Sequence, residues 1–386
     1  MERKTKLNIL FISQLYPLSK DSKNSFALHY FIKEWSKYHN VQVIRPYLRY
    51  EIEKKPNDNQ IVVDEVMIDL VFPIWIPVIK FCVVNKKRVI SLIREKPDII
   101  FCHLYNSYLT FAFLKSHFEV PYVIGIHNSD IKFGRSFFYK YRLNKIIKNV
   151  DGIAFRSELI KRKFYSIFTT LNKNTLVVNS GLSNEELSQT EQLVNDNRKR
   201  GATIKIISAC WLIKRKQIDK VIEVLNKINR ETSINWTYTI IGEGSEESKL
   251  IKLVKKFNLE SKITFKGSVS REEVLNSMKS HDIFIMPSTN ETFGLAYIEA
   301  MASGCIVIGA EGWGIDGIIQ NGINGFLCNP NDIQDIYGKL YQTLTLSEIA
   351  FSDIKRCSMN TVLNLNNKKI AYDYLRFFSP PVYRVN

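Results

Sequence analysis

Residues 286–304 read MPSTNETFGLAYIEAMASG, and the run changes character twice. An apolar strand ends at Pro287, a polar loop follows, and Thr292, Phe293 and Gly294 open a helix that ends at Gly304. Strand, loop and helix N-terminus in that order mark the carboxyl end of a parallel strand in an open α/β sheet, where ligands bind. The first amides of such a helix lack internal acceptors and sit at the positive end of its dipole, so phosphate is a favoured occupant. Glycine at position 294 lets the backbone approach closely.

Two carboxylates flank the turn, Glu291 and Glu299. Were the whole interval helical, they would stand about 12 Å apart along the axis, against roughly 5 Å for the paired carboxylates of a retaining hydrolase. They do not suit an acid and a nucleophile acting on one bond. A division of labour is more natural, with Glu291 in the loop near a reacting sugar and Glu299 in the helix accepting hydrogen bonds from a diol such as ribose. Taken alone, the same residues also fit a helix-start charge and a solvated helix face.

Outward from this segment, strand-like apolar runs alternate with helical patterns, the signature of an α/β chain with helix-covered parallel sheets. At 386 residues the chain exceeds the roughly 250 that one core usually serves, so two domains are expected. The first half carries strands at Asn8–Ser13, Val41–Arg45, Ile99–His103, Tyr122–His127, Gly152–Arg156 and Thr175–Val178. The second carries them at Lys205–Ala209, Trp236–Ile241, Ile263–Lys266, Ile283–Pro287 and Ile306–Gly309. Between them, 183–200 is polar and reads as a surface helix plus linker, placing the boundary near Gly201. The predicted domains are 1–200 and 201–367. The aromatic tail, 368–386, is predicted to pack back on the N-terminal domain.

With these motifs in place, the segment resembles the E-x7-E motif of family 4 (group 1) retaining glycosyltransferases, which adopt the GT-B fold: two Rossmann-like domains whose parallel sheets face each other across a cleft. The resemblance runs from about Lys205 to Pro330 and includes IIGEGSEESKL with Gly242 and Gly244, FKGSVSREEV, and NGINGFLCNPND. It implies that Glu299 binds ribose, that the amides around Phe293, Gly294 and Leu295 cradle a diphosphate, and that Glu291 touches the donor sugar. Lys216, in WLIKRKQID, is similar to the family lysine that neutralises the leaving diphosphate, since a fixed cation stabilises charge as the glycosidic bond breaks. The donor implied is a nucleotide diphosphate sugar, with a UDP-sugar the first choice. The acceptor is a glycan or a polyprenyl-linked glycan, and the setting is bacterial surface polysaccharide biosynthesis.

Two departures stand out. Trp211 occupies the place of the family's usual arginine, and an indole cannot make its bidentate phosphate contact; Lys214 and Arg215 in the same loop are the available substitutes. The first loop has Asn24-Ser25-Phe26 where the family carries glycines. In the first half, IHNSD resembles the family's H-G-x-D loop, which puts His127 near the donor sugar and acceptor, with Asp130 at the matching position. His127 is expected to hydrogen-bond sugar hydroxyls or assist proton movement, since imidazole titrates near neutrality. His103 is a second acceptor-side candidate.

The net charge of +16 calls for an anionic partner, and nucleic acid, anionic lipid and a phosphorylated small molecule all qualify, beside a solvated lysine-rich surface. Without a helix-turn-helix, zinc-finger or RNP signature, nucleic acid is set aside. The stretch from Ile131 to Asn149 mixes aromatic and basic residues as a membrane-surface helix does, and equally as a helix packed on the sheet with a solvated basic face. The six cysteines are scattered singly and no D-x-D pair occurs, so neither a zinc site nor a carboxylate clamp for a divalent ion is expected. No secretion signal is read, and no apolar run approaches the about 20 residues of a spanning helix. The expected location is cytoplasmic, with peripheral attachment to the inner membrane face. A nucleotide-sugar epimerase or hydrolase of the same fold, and a partner subunit with weakened catalysis, are the alternatives.

Overall fold

The structure, a computed structural model, describes residues 6–17, 27–48, 63–71, 81–134, 137–168, 173–194 and 200–380. The Asn24-Ser25-Phe26 segment and the last residues of the tail lie outside them. The chain forms two compact units, Met1–Asn179 with Asn367–Asn386, and Ser180–Asn366.

The first unit holds β1 (Asn8–Ser13), β2 (Asn40–Leu48), β3 (Val63–Val71), β4 (Phe81–Val83), β5 (Ile99–His103), β6 (Tyr122–Ile126), β7 (Gly152–Phe155) and β8 (Asn174–Val177). Their order is β4-β3-β2-β1-β5-β6-β7-β8, parallel except for the β3–β4 pair. β5 and β6 are buried along their whole length, which is why they read as unbroken apolar runs. β3, β4 and the short β14 below escape the sequence reading. Asp64, Glu65 and Asp69 interrupt the apolar pattern of β3, and β4 and β14 have only three residues each.

The second unit holds β9 (Ile204–Ala209), β10 (Trp236–Ile241), β11 (Ile263–Gly267), β12 (Ile283–Met286), β13 (Ile306–Ala310) and β14 (Phe326–Cys328) in the order β11-β10-β9-β12-β13-β14, all parallel. Helix Ile218–Glu231 buries Ile218, Val221, Ile222, Leu225 and Ile228, one face at helical spacing, against this sheet.

The division falls between Asn179 and Ser180, ahead of the boundary near Gly201. The reason is local: helix Asn184–Val194 buries Leu187 and Thr190 and packs on helix Glu348–Leu363, and the Leu182 amide donates to Leu365 O at 2.7 Å. The helix expected on the surface here docks by a narrow apolar stripe. Helix Asn367–Phe378 belongs to the first unit: Trp35 Nε1 donates to Ala371 O at 2.7 Å, and Tyr374 and Phe378 pack among Phe31, Trp35 and Phe101. Gly152 on β7 leaves the space that the Phe378 ring fills, because a Cβ there would overlap that ring. Gly152→Ala is therefore expected to destabilise the protein by about 1–3 kcal/mol, read by urea unfolding, and to lower amide-exchange protection across residues 367–378.

Candidate active site

In the second sheet the strand order reverses between β9 and β12, so the loops leaving these neighbours diverge and open a crevice at their carboxyl ends. Both loops carry the residues singled out from sequence. The first runs from Cys210 through a 3-10 turn, Lys214–Lys216, to Gln217, whose φ of 56° starts the next helix. It is held from behind by the loop after β10: Leu212 N donates to Glu243 O at 2.8 Å and Glu246 N to Leu212 O at 2.9 Å. Gly242 and Gly244 make this contact possible, since a Cβ on either would overlap the backbone of Cys210 or Leu212. Gly242, expected from the resemblance among the donor-binding residues, thus packs against the lysine loop.

The second loop, after β12, brings Glu291 to meet the first. Lys216 Nζ and Arg215 Nη1 each donate to Glu291 Oε1 at 2.5 Å, and Ser288 Oγ donates to the same oxygen at 2.9 Å. The two loops are also joined through backbone, Thr289 N to Arg215 O at 2.9 Å. Burial works to raise the Glu291 carboxyl, but Lys216 and Arg215 outweigh it and hold the group below the ordinary glutamate value. All three donors use one oxygen, and among the described residues Oε2 has no hydrogen-bond partner. Trp211 is exposed, and the guanidinium that this loop brings to Glu291 is that of Arg215. Lys214 is exposed.

Gly294 follows with φ 84° and caps helix Leu295–Ala302. No protein acceptor is found among the described residues for the amides of Phe293, Gly294 and Leu295, so the first turn of this helix is open to an anion. The Phe293 side chain is buried, leaving only its backbone for a ligand. Tyr297 Oη donates to Met286 O at 2.6 Å and pins the helix to the end of β12. From the loop after β13, Gly314 N donates to Glu291 O at 3.2 Å, an approach that a Cβ at Gly314 would block.

Glu299, on the same helix, is paired with a residue that sequence reading did not single out. Arg271 donates to Glu299 Oε1 from Nε at 3.1 Å and from Nη2 at 2.7 Å, and Nη2 also reaches Glu186 Oε1 at 2.5 Å. Burial raises the Glu299 carboxyl and Arg271 opposes it. Arg271 is the first residue of a helix closed by a Ser270–Glu273 capping box. That box announces the helix in sequence, but nothing there announces the partner.

In the first unit, His103 at the end of β5 and His127 just after β6 lie side by side, His103 Nδ1 to His127 Nε2 at 3.0 Å. The His127 amide donates to Asp130 Oδ2 at 2.6 Å, so Asp130 shapes the strand-to-helix turn. Gly125 gives room for the His103 ring. The expectation that His127 titrates near neutrality is corrected: burial, and then the Arg156 charge, lower it to about 3. His103 is driven well below its ordinary value by burial, His127 and Arg156. Both are neutral imidazoles at physiological pH. Among the described residues no cluster of three or more potential metal ligands occurs.

Residues 189–356 match the family of glycosyl transferases group 1. The matched stretch lies within the second unit. Among similar proteins, an uncharacterized glycosyltransferase of Methanocaldococcus jannaschii is 26% identical over 62% of this chain and 62% of its own length. A putative colanic acid biosynthesis glycosyltransferase of Salmonella typhimurium is 27% identical over 45% of this chain and 42% of its own. The chain thus spans less than two thirds of either relative. The crystal structure of Anabaena HepE in complex with UDP superposes with a TM-score of 0.72 at 16% identity, covering 96% of this chain and 98% of that one. The fold is that of GT-B glycosyltransferases.

The two depressed histidines have a consequence for stability. In the unfolded chain a histidine binds a proton below about pH 6.5, whereas in the fold these two resist it, so stability is full above that pH and is lost as pH falls. Each is expected to cost about 1.4 kcal/mol per pH unit between pH 6 and 4. Urea unfolding at pH 7 and pH 5 reads the loss, and His127→Gln is expected to flatten the dependence.

Proposed function

We propose that this chain is a metal-independent retaining glycosyltransferase that moves a hexosyl or N-acetylhexosaminyl group from a nucleotide diphosphate sugar, a UDP-sugar first, to a glycan or lipid-linked acceptor in bacterial surface polysaccharide biosynthesis. The observation that carries this reading is the meeting of Lys216 and Arg215 with Glu291 beside the open amides of Phe293, Gly294 and Leu295. Two cations and a helix N-terminus at one switch point make a diphosphate site. The HepE complex with UDP supports the choice of donor, and the relative named for colanic acid biosynthesis supports the setting.

In this reading Glu299 Oε2 accepts from the ribose, while Lys216, Arg215 and the amides hold the diphosphate. Glu291 then offers its remaining oxygen to a sugar hydroxyl. As the bond from the anomeric carbon to the diphosphate oxygen breaks, negative charge gathers where the cations already stand. The acceptor oxygen bonds to that carbon on the same face, and its proton passes to the leaving phosphate. His127 contributes as a hydrogen-bonding partner of a sugar hydroxyl.

Calorimetry with UDP tests the site. Lys216→Ala and Glu299→Ala are each expected to weaken binding by about 10–100-fold, from the worth of a hydrogen bond to a charged group. Glu291→Gln is expected to keep or tighten it, because the neutral amide competes less for Lys216, while turnover falls. Unchanged affinity in the first two variants would overturn the assignment.

The same reading places the enzyme at the inner membrane face, attached through helix Phe137–Asn149, which exposes Phe137 and Tyr141 together with Lys140, Lys145 and Lys148. No helix among the described residues is long and apolar enough to span a bilayer. Flotation with phosphatidylglycerol vesicles is expected to carry the protein in low salt, and Phe137→Glu with Tyr141→Glu to abolish it. Equal flotation with phosphatidylcholine alone would refute an electrostatic attachment.

A further inference from the structure

A line of three buried polar side chains in the first unit has a direction. Tyr374, on the helix that returns from the second unit, places its hydroxyl 2.9 Å from His103 Nε2, and His103 Nδ1 lies 3.0 Å from His127 Nε2. Tyr374 and His103 are wholly buried and His127 nearly so. Each imidazole carries one proton, and Tyr374 keeps its own because burial pushes the phenol up. Three protons must therefore be arranged along two hydrogen bonds.

Only two arrangements complete both bonds. In the inward one, His127 Nε2–H donates to His103 Nδ1, His103 Nε2–H donates to the Tyr374 oxygen, and the tyrosine proton needs another acceptor. Among the described residues Tyr374 has no second hydrogen bond, and its ring is surrounded by Phe31, Trp35, Phe101 and Phe378. Arg156, the charge that acts on Tyr374, can donate but not accept. Leaving that hydroxyl unpaired disfavours the inward arrangement roughly tenfold or more. In the outward one, Tyr374 O–H donates to His103 Nε2, His103 Nδ1–H donates to His127 Nε2, and both wholly buried side chains, Tyr374 and His103, have their donors satisfied. His127 then carries its proton on Nδ1, which has no partner among the described residues.

We infer that Tyr374 and His103 are positioning residues that fix His127 as its Nδ1–H tautomer, so that His127 meets its ligand as a neutral hydrogen-bond donor and not as a base. The inference rests on the proposed function, in which His127 hydrogen-bonds a sugar, and the accepting atom is then a sugar hydroxyl oxygen. A neutral donor suits that task, since it polarises an oxygen without placing a second full positive charge beside the Arg156 guanidinium. It also gives the C-terminal helix a part in the site beyond packing.

The test reads the tautomer directly. With uniformly nitrogen-15-labelled histidine, long-range proton–nitrogen correlation spectra at pH 7 distinguish Nδ1–H from Nε2–H rings, and with six histidines in the chain His127→Asn assigns the signal. The expected result is an Nδ1–H tautomer at both His127 and His103. In Tyr374→Phe the expected result is loss of that single pattern, with His127 shifting toward Nε2–H. An Nε2–H signal at His127 in the unmutated protein overturns the inference, as does an unchanged pattern in Tyr374→Phe. The spectrum of the unmutated protein stands by itself if the variant fails to fold. Failure of the proposed function is seen separately, as absent UDP binding with the tautomer pattern intact. If both hold, Tyr374→Phe is expected to lower kcat by about tenfold while UDP affinity stays unchanged.

Discussion

One carboxylate oxygen, Oε1 of Glu291, receives a lysine, an arginine and a serine. Lys216 is buried, and a buried ammonium without a counter-charge is costly, as is a carboxylate with little exposure. Each is tolerated because the other is there, and the two come from loops that leave different strands. The pair therefore fastens the loop after β9 to the loop after β12 at the place where the sheet's order reverses. The glycines around it serve the same closure: Gly242 and Gly244 bring one loop against the lysine turn, and Gly314 lets a third loop lie over Glu291.

In the proposed function a pair held this way is also a store of charge for a diphosphate. An anion arriving at the helix N-terminus finds cations already oriented, and needs only to share them with Glu291. In the proposed function the neighbouring Arg271–Glu299 pair serves the ribose in the same way: the arginine takes one carboxylate oxygen, opposes the burial that raises the group, and leaves the other oxygen for a hydroxyl. The first unit uses the opposite means. There burial and Arg156 strip the histidines of charge, and polarity is carried by the direction of hydrogen bonds instead of by ions.

Much of the fold was legible. Strands buried on both faces, such as β5 and β6, announce themselves as short apolar runs, and most expected ends fall within a residue or two of the observed ones. β3 was not legible because a charged residue such as Asp64, paired here with Gln42 and Arg94, breaks the apolar pattern. Helix Asn184–Val194 reads as a surface helix leading into a linker because its docking stripe is narrow, so the expected boundary falls later than the observed one.

For the site, local order along the chain drew attention to Glu291, Gly294 and Glu299, because strand, loop and helix start are consecutive, and the family resemblance gave these residues, with Phe293 and Leu295, their expected roles. Lys216 and Arg215 stood out as cations in a loop. That they meet Glu291, that Arg271 meets Glu299, and that Tyr374 stands behind His103 and His127 are contacts between residues 28 to 271 positions apart. Such contacts depend on which strands become neighbours and where a terminal helix returns. Periodicity within a segment carries its own secondary structure, whereas pairing between segments, and with it the charge and proton state of every buried group, is settled only when the sheets close.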